Sequence, residues 1–156
     1  MKALVVFYSR TGVTRKVAET ISDLLRCETE EIVDTKDRTG AVGYLLAGRD
    51  ASLKKLTTIK ELKSDPSSYD MVIIGTPVWA FTMSAPVRTY LLQNKGRFKK
   101  AAFFCTQGGV GNKGAFRDME EASGVKPCGT FVLRTGEVVR DDYRSKVKQF
   151  IEGLNA

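Results

Sequence analysis

The sequence contains no histidine and only three cysteines among its 156 residues. Without histidine, Ser-His-Asp and Cys-His catalytic arrangements are excluded, as is any metal or haem held by histidine. Cys27, Cys105 and Cys128 form no CxxC motif and are odd in number, so we expect no disulfide framework. A metal cluster held only by thiolates would need a fourth cysteine. We therefore expect each cysteine to be a small buried hydrophobic residue.

Long apolar runs are also missing, since no segment approaches the roughly 20 residues that cross a bilayer. Lys2 and the short apolar run after it resemble the start of a signal peptide. However, the run is too short and leads into a polar loop instead of a cleavage site of small residues. The sequence therefore predicts a cytoplasmic protein without a membrane partner. Its length, with 42% hydrophobic and 28% charged residues, predicts one globular domain over residues 1–156.

The net charge is +7, from 25 basic and 18 acidic residues. A basic domain can bind nucleic acid, an anionic membrane or an acidic protein. Here the basic residues are scattered, with small clusters only at residues 54–55 and 97–100, and no aromatic residues alternate with them. This pattern favours a solvated basic surface, and we expect no nucleic-acid partner.

The stretch from Lys2 to Thr14 carries the strongest signal in the chain. Its first part, residues 3–7, is an uninterrupted apolar run of the kind found in a strand buried on both faces of a parallel sheet. Hydroxyl residues and Gly12 follow, and then a helical pattern begins at Val13. Backbone N–H groups at the start of a helix are unpaired and lie at the positive end of its dipole. The stretch therefore predicts a phosphate cradle, although hydroxyls that only cap the helix would look similar.

Strand and helix patterns alternate along the rest of the chain. They predict further strands at residues 28–33, 71–75, 100–105 and 125–133. They predict helices around residues 41–53, after the cap residue Ser84, at residues 115–123, and at residues 141–154 with Asp141 or Asp142 as cap. This order predicts an α/β fold: a three-layer, doubly wound sheet of five parallel strands in the order 2-1-3-4-5.

Three unusual loops follow strands one, three and four, whose carboxyl ends lie at the ligand-binding edge of such a sheet. We therefore expect one shared binding site and no separate catalytic residues. The candidate binding residues are Ser9, Arg10, Thr11, Gly12, Val13 and Thr14 in the first loop; Thr76, Pro77, Val78, Trp79, Ala80 and Phe81 in the second; and Thr106, Gln107, Gly108 and Gly109 in the third.

The second loop is apolar, although surface loops are usually polar, which indicates a flat apolar ligand. Trp79 is the only tryptophan of the chain and can stack on an aromatic ring system. The alternative is that Trp79 and Phe81 pack the next helix onto the sheet. In the third loop, Gly108 and Gly109 allow backbone N–H groups to approach a ligand closely, as an ordinary glycine turn also would. Whether Arg10 faces a phosphate or solvent stays open.

Residues 9–14 match every fixed position of the motif [ST]-x-T-G-x-T, and the chain resembles the flavodoxin family over nearly its whole length. Val13 stands where many flavodoxins have Asn, which removes one possible side-chain contact. The resemblance implies a flavodoxin-like fold and FMN as cofactor, with its phosphate on the first loop and its ring between the other two. It also implies a low-potential one-electron carrier between redox proteins, and the basic charge of this chain favours partners with acidic docking surfaces.

Two other functions share this topology. An NAD(P)H-dependent quinone or flavin reductase would need a substrate pocket, for which residues 40–53 are the only candidate insertion; the same segment could form a dimer contact or simply pack on the sheet. We expect a monomer or a weak homodimer. A flavin-free receiver domain would need an acidic pair after strand one and an Asp after strand three, where this chain has Ser9-Arg10 and Thr76-Pro77.

Overall fold

A parallel sheet forms the centre of the fold in the computed structural model, which describes residues 1–155. Five strands are parallel in the order β2-β1-β3-β5-β6, and a short strand, β4, pairs antiparallel with the end of β3. The strands are β1 (Ala3–Phe7), β2 (Glu28–Glu31), β3 (Met71–Trp79), β4 (Thr82–Met83), β5 (Ala101–Gln107) and β6 (Thr130–Arg134). The predicted order of five parallel strands is confirmed.

Helices cover both faces of the sheet and create two hydrophobic cores. They are α1 (Val13–Leu25), α2 (Gly40–Ser52), α3 (Ala85–Gln93), α4 (Asn112–Ser123), α5 (Thr135–Val139) and α6 (Arg144–Leu154), with a single 3₁₀ turn at Pro66–Ser68. Residues alternate between the cores along β1: Leu4 and Val6 face α2, α3 and α4, whereas Val5 and Phe7 face α1, α5 and α6. None of the helices in the described chain is long and apolar enough to cross a membrane.

The second predicted loop is partly a strand. β3 continues to Trp79, and a two-residue turn at Ala80 and Phe81 leads into β4. Proline usually interrupts a central strand because it lacks an N–H. Here Pro77 is the last residue of β3 that pairs with β5, and Val78 is the first that pairs with β4. The proline therefore lies where the strand changes partners. Likewise, β5 includes Thr106 and Gln107, which were predicted to lie in a loop.

The carboxyl-terminal elements differ most from the prediction. The closing helix does not begin at Asp141, because α5 ends at Val139 and α6 starts only at Arg144. The residue before α6 is Tyr143, and no side chain in the described chain caps that helix, so the predicted caps Asp141 and Asp142 are wrong. β6 starts at Thr130, later than predicted, and β2 ends at Glu31, earlier than predicted.

The three cysteines occupy different environments. Cys105 is buried in β5, and burial raises the pKa of its thiol to about 12, so it is inert at ordinary pH. Cys27 is half-buried and Cys128 is exposed. The expectation of a buried hydrophobic residue is therefore confirmed for Cys105 and wrong for Cys128.

Candidate functional site

The first and third loops meet at the carboxyl edge of the sheet. Thr14 lies in the first turn of α1, and its Oγ1 is 2.8 Å from Oγ1 of Thr106 at the end of β5. Both side chains are buried. β3 runs between β1 and β5, so the second loop emerges beside the other two. The structure thus brings the three predicted loops to one place.

The first loop presents the free end of α1. Gly12 precedes the helix with φ +95°, a left-handed conformation that glycine adopts without strain, and its N–H donates to Ser9 Oγ at 3.0 Å. No side chain among residues 1–155 caps α1. The unpaired N–H groups of its first turn, next to the exposed hydroxyl residue Thr11, therefore form an anion-binding end.

Arg10 reaches from the first loop to α2 and the segment before it. Its Nη1 donates to the carbonyl oxygen of Arg38 at 3.1 Å, and its guanidinium carbon lies 5.4 Å from the centroid of the Tyr44 ring. In the structure Arg10 thus contacts α2 and the segment before it, an arrangement that the sequence did not predict. This contact ties the phosphate cradle to residues 38–44.

The two aromatic residues of the second loop, which we expected to behave alike, occupy different environments. Trp79 is only 9% exposed and belongs to the core beneath α2, where its ring meets Tyr8 edge-on at 5.4 Å. Phe81 is 67% exposed. The alternative in which both aromatic residues pack into the core therefore holds for Trp79, while Phe81 remains available for contact with a ligand.

The turn that carries Phe81 is firmly held. Ala80 and Phe81 have φ values of +47° and +66°, which residues other than glycine rarely adopt. A Cβ atom at Gly114 of α4 would lie 2.3 Å from the carbonyl oxygen of Phe81, so α4 can approach the turn only with glycine at this position. The next residue, Thr82, donates its hydroxyl to Asp118 Oδ2 at 2.6 Å. The exposed aromatic side chain is thus fixed at the edge of the site.

The third loop combines open backbone with a buried polar group. Gly108 and Gly109 are exposed, and a Cβ atom at either would meet nothing within 4 Å. Gln107 is buried; its Nε2 donates to Asn112 Oδ1 at 3.3 Å, and its Oε1 has no partner within residues 1–155. Arg134 donates to the carbonyl oxygen of Gly109 at 3.2 Å and restrains the loop. The loop can therefore offer a ligand both donors and a buried acceptor.

A buried ionic cluster lies beneath the first two loops. The three side chains are buried, with Arg38 Nε 2.5 Å from Asp34 Oδ2 and Arg38 Nη1 3.0 Å from Asp50 Oδ2. Burial, reinforced by the charge of Asp34, raises the pKa of Tyr8 to about 12. The Tyr8 hydroxyl therefore stays protonated at ordinary pH and can act as a donor.

Two clefts flank these residues. One of about 320 Å³ opens beside the cradle and is lined by Ser9, Arg10 and Arg38, among others. The other, of about 380 Å³, lies between α2 and the end of β3 and is lined mainly by apolar groups, including Tyr44, Leu45 and Trp79. A cleft of about 540 Å³ at residues 59–66 and the end of α3 contains none of the predicted site residues.

Comparison with known families decides the relationship. The family model Flavodoxin_4, described as flavodoxin, matches residues 2–154. The chain belongs to the flavodoxin family. A search of curated protein sequences gave no significant match.

Solved structures agree with this membership in the flavodoxin family. A flavoprotein from Lactobacillus acidophilus NCFM, crystallised in complex with FMN, shares 26% identity at a TM-score of 0.76, over 96% of this chain and 97% of that one. A flavoprotein from Bacteroides uniformis shares 22% identity at a TM-score of 0.80, over 97% of both chains. A flavodoxin mutant from Pseudomonas aeruginosa covers 100% of both chains at 14% identity and a TM-score of 0.53, and like the second structure it supports the fold alone.

Several residues at this flavodoxin site were missed by sequence reasoning. Four of them lie in segments that looked irregular in sequence or looked like a helix that only packs on the sheet: Asp34, Arg38, Tyr44 and Asp50. Only the four-residue spacing of Asp34 and Arg38 indicated an ion pair. Arg134 is the last residue of β6, and nothing in the sequence marked it as part of the site. The described chain contains no group of metal-ligating side chains that could hold an ion.

Proposed function

We propose that this protein binds FMN and carries single electrons between redox proteins. The observation that carries the proposal is the uncapped start of α1 at Gly12, surrounded by the hydroxyl residues Ser9, Thr11 and Thr14. A phosphate group would accept hydrogen bonds from the helix N–H groups and from these hydroxyls, and the helix dipole would favour its negative charge. The FMN-bound relative from Lactobacillus acidophilus supports the same choice of cofactor.

The second and third loops fit the ring of the same cofactor. Phe81 offers an exposed aromatic surface, and Pro77 and Val78 are half-exposed beside it. Across the site, Gly108 and Gly109 leave room for a flat ring and point to backbone donors at its polar edge. The unpaired Oε1 of Gln107 can accept a hydrogen bond from an N–H or hydroxyl group of the ligand.

The bound flavin would supply the electron chemistry, and the chain would set its environment. The loops that would hold the ring are exposed at Phe81, Gly108 and Gly109, so another protein can approach the ring edge. Arg134 beside Gly109 and the exposed Lys113 place positive charge there. These charges, with the net charge of +7, favour a redox partner whose docking surface is acidic. We propose that the carrier acts as a monomer or weak homodimer.

A second candidate function is an NAD(P)H-dependent quinone or flavin reductase. The observation in its favour is the cleft of about 380 Å³ between α2 and β3, because its volume and apolar lining suit a small flat substrate. The segment at residues 40–53, which we singled out from the sequence, forms one wall of this cleft through Tyr44 and Leu45. A carrier does not need such a cleft.

Anaerobic stopped-flow absorbance distinguishes the two functions. The FMN-loaded protein is mixed with NADH or NADPH, with and without a quinone. We expect no bleaching of the flavin by nucleotide alone, and we expect a stable one-electron-reduced form when the protein is reduced stepwise by a chemical reductant.

Rapid bleaching by nucleotide alone would contradict the carrier and favour the reductase. If the purified protein failed to take up FMN, both functions would be refuted. Riboflavin serves as a matched ligand without phosphate, and it should bind more weakly than FMN if the start of α1 holds the phosphate.

A further inference from the structure

Arg38 is a buried cation in contact with both halves of the candidate site. Its side chain is 1% exposed, and it forms ion pairs with Asp34 and with Asp50 of α2. Its Nη2 has no partner within residues 1–155. A hydrophobic residue commonly gives as much stability as a buried ion pair, because removing charges from water is costly. This burial therefore calls for an explanation other than stability.

The side chain of Arg38 faces the ring half of the site. Its guanidinium carbon lies 5.5 Å from the centroid of the Trp79 ring, within the range of a cation–π contact. Trp79 is the last residue of β3, and the turn that carries Phe81 follows directly. The position of the indole, and with it the direction in which the strand ends, thus depends on a charged neighbour.

The backbone of Arg38 faces the phosphate half. Its carbonyl oxygen accepts a hydrogen bond from Arg10 Nη1 in the first loop at 3.1 Å. On the other side, a Cβ atom at Gly43 of α2 would lie 2.1 Å from the carbonyl carbon of Arg38, so α2 packs directly on this peptide group. Residue 38 therefore links the first loop, the second loop and α2.

We propose that Arg38 is a positioning residue of the flavin site: it orients Trp79 with its guanidinium group and Arg10 with its carbonyl oxygen, and it places a buried positive charge against the last residue of β3. This inference rests on the proposed binding of FMN. Because reduction adds negative charge to a flavin, a nearby cation favours the reduced state. Neutralising residue 38 would also leave Asp34 and Asp50 without their central partner, so both changes lower the reduction potential of the bound flavin.

The test compares Arg38→Met and Arg38→Lys with Ile151→Ala. Ile151 is buried in the core on the opposite face of the sheet, so its truncation lowers stability without touching the site. Trp79 is the only tryptophan, and its fluorescence therefore reports on this contact even in protein without FMN. The other readouts are the FMN dissociation constant and the midpoint potential of bound FMN.

We expect Arg38→Met to increase acrylamide quenching of Trp79 and to lower the midpoint potential. It should also weaken FMN binding, because a site whose residues are no longer held in place before binding pays for that ordering when the ligand binds. Arg38→Lys keeps the positive charge, so its midpoint potential should stay closer to that of the wild type than the potential of Arg38→Met does. If Arg38→Met does not fold, Arg38→Lys is compared directly with the wild type, and a smaller increase in quenching is expected. Ile151→Ala should lower the melting temperature only.

The inference is overturned if the Arg38 variants change melting temperature alone, as Ile151→Ala does. The role of Arg38 in orienting Trp79 is overturned if Arg38→Met weakens FMN binding by the same factor in a Trp79→Leu background, because Arg38 would then act without the indole. Should the wild type not bind FMN at all, the proposed function fails. The quenching experiment on the protein without FMN would still show whether Arg38 holds Trp79.

Discussion

The strained turn between β3 and β4 gives a prediction with an unusual sign. Phe81 is exposed and has φ +66°, a left-handed conformation that costs a residue other than glycine roughly 1–2 kcal/mol. Replacement of Phe81 by alanine keeps this strain, whereas replacement by glycine removes it. Both variants lose the same modest contacts, because the side chain is mostly exposed.

The comparison of Phe81→Gly with Phe81→Ala isolates the backbone. In an ordinary strand or helix, alanine is more stable than glycine by roughly 0.5–1 kcal/mol. At residue 81 we expect the reverse, with the glycine variant more stable by about 1 kcal/mol. For a chain of this size, that difference corresponds to a melting temperature about 2–4 °C higher.

Thermal unfolding of both variants without FMN, followed by circular dichroism, measures this difference. Equal melting temperatures, or a higher one for Phe81→Ala, would show that the turn relaxes and that α4 does not hold it. FMN titration of the same two proteins separates the side chain from the backbone. If the phenyl ring covers the flavin, both variants should bind FMN more weakly than the wild type, although only the glycine variant relieves the strain.

Two further predictions concern the cradle and the support of the turn. Thr11→Val should weaken FMN binding by about 1–3 kcal/mol and leave riboflavin binding unchanged, because only the phosphate of FMN would accept a hydrogen bond from the Thr11 hydroxyl. Calorimetry measures both affinities, and equal losses for the two ligands would contradict this. Burial of Asp118 opposes its ionisation, but the hydrogen bond from Thr82 and the charges of Lys54 and Arg88 hold the pKa of this carboxyl below its usual 3.8. A lowered pKa in the folded state means that the carboxylate stabilises the protein above pH 3.8 and loses this effect as the pH falls through the lowered value. The stability gap between the wild type and Asp118→Asn in urea unfolding should therefore narrow from pH 7 to pH 3, and a constant gap would refute this account.

The parallel sheet was predictable because its three central strands, β1, β3 and β5, are largely buried on both faces. Apolar runs such as Ala3–Phe7 have few other uses in a protein of this composition, and their alternation with helical patterns limits the topology. The first loop was equally predictable, because Gly12 and the hydroxyl residues beside it indicate an anion-binding helix start without any tertiary contact.

The rest of the site depends on contacts between distant segments. Pro77 indicated a loop, and only the change of partner from β5 to β4 explains why the strand continues through it. The same short hairpin folds Trp79 back into the core and leaves Phe81 outside, which no local pattern could distinguish. Arg38 is an ordinary charged residue by sequence, and its burial depends on Asp50 from a separate helix.

The hydroxyl pair of Thr14 and Thr106 has a direction as well as a length. Each hydroxyl carries one proton, and only one of the two protons can lie between the oxygens, which are 2.8 Å apart. The other proton is therefore free to form a different hydrogen bond. When Thr106 donates, the free proton is on Thr14, in the first turn of α1; when Thr14 donates, it is on Thr106, at the end of β5. An anion at the helix start attracts that proton and selects the first arrangement. A bound anion would therefore decide which of the two hydroxyls donates, without any movement of the backbone.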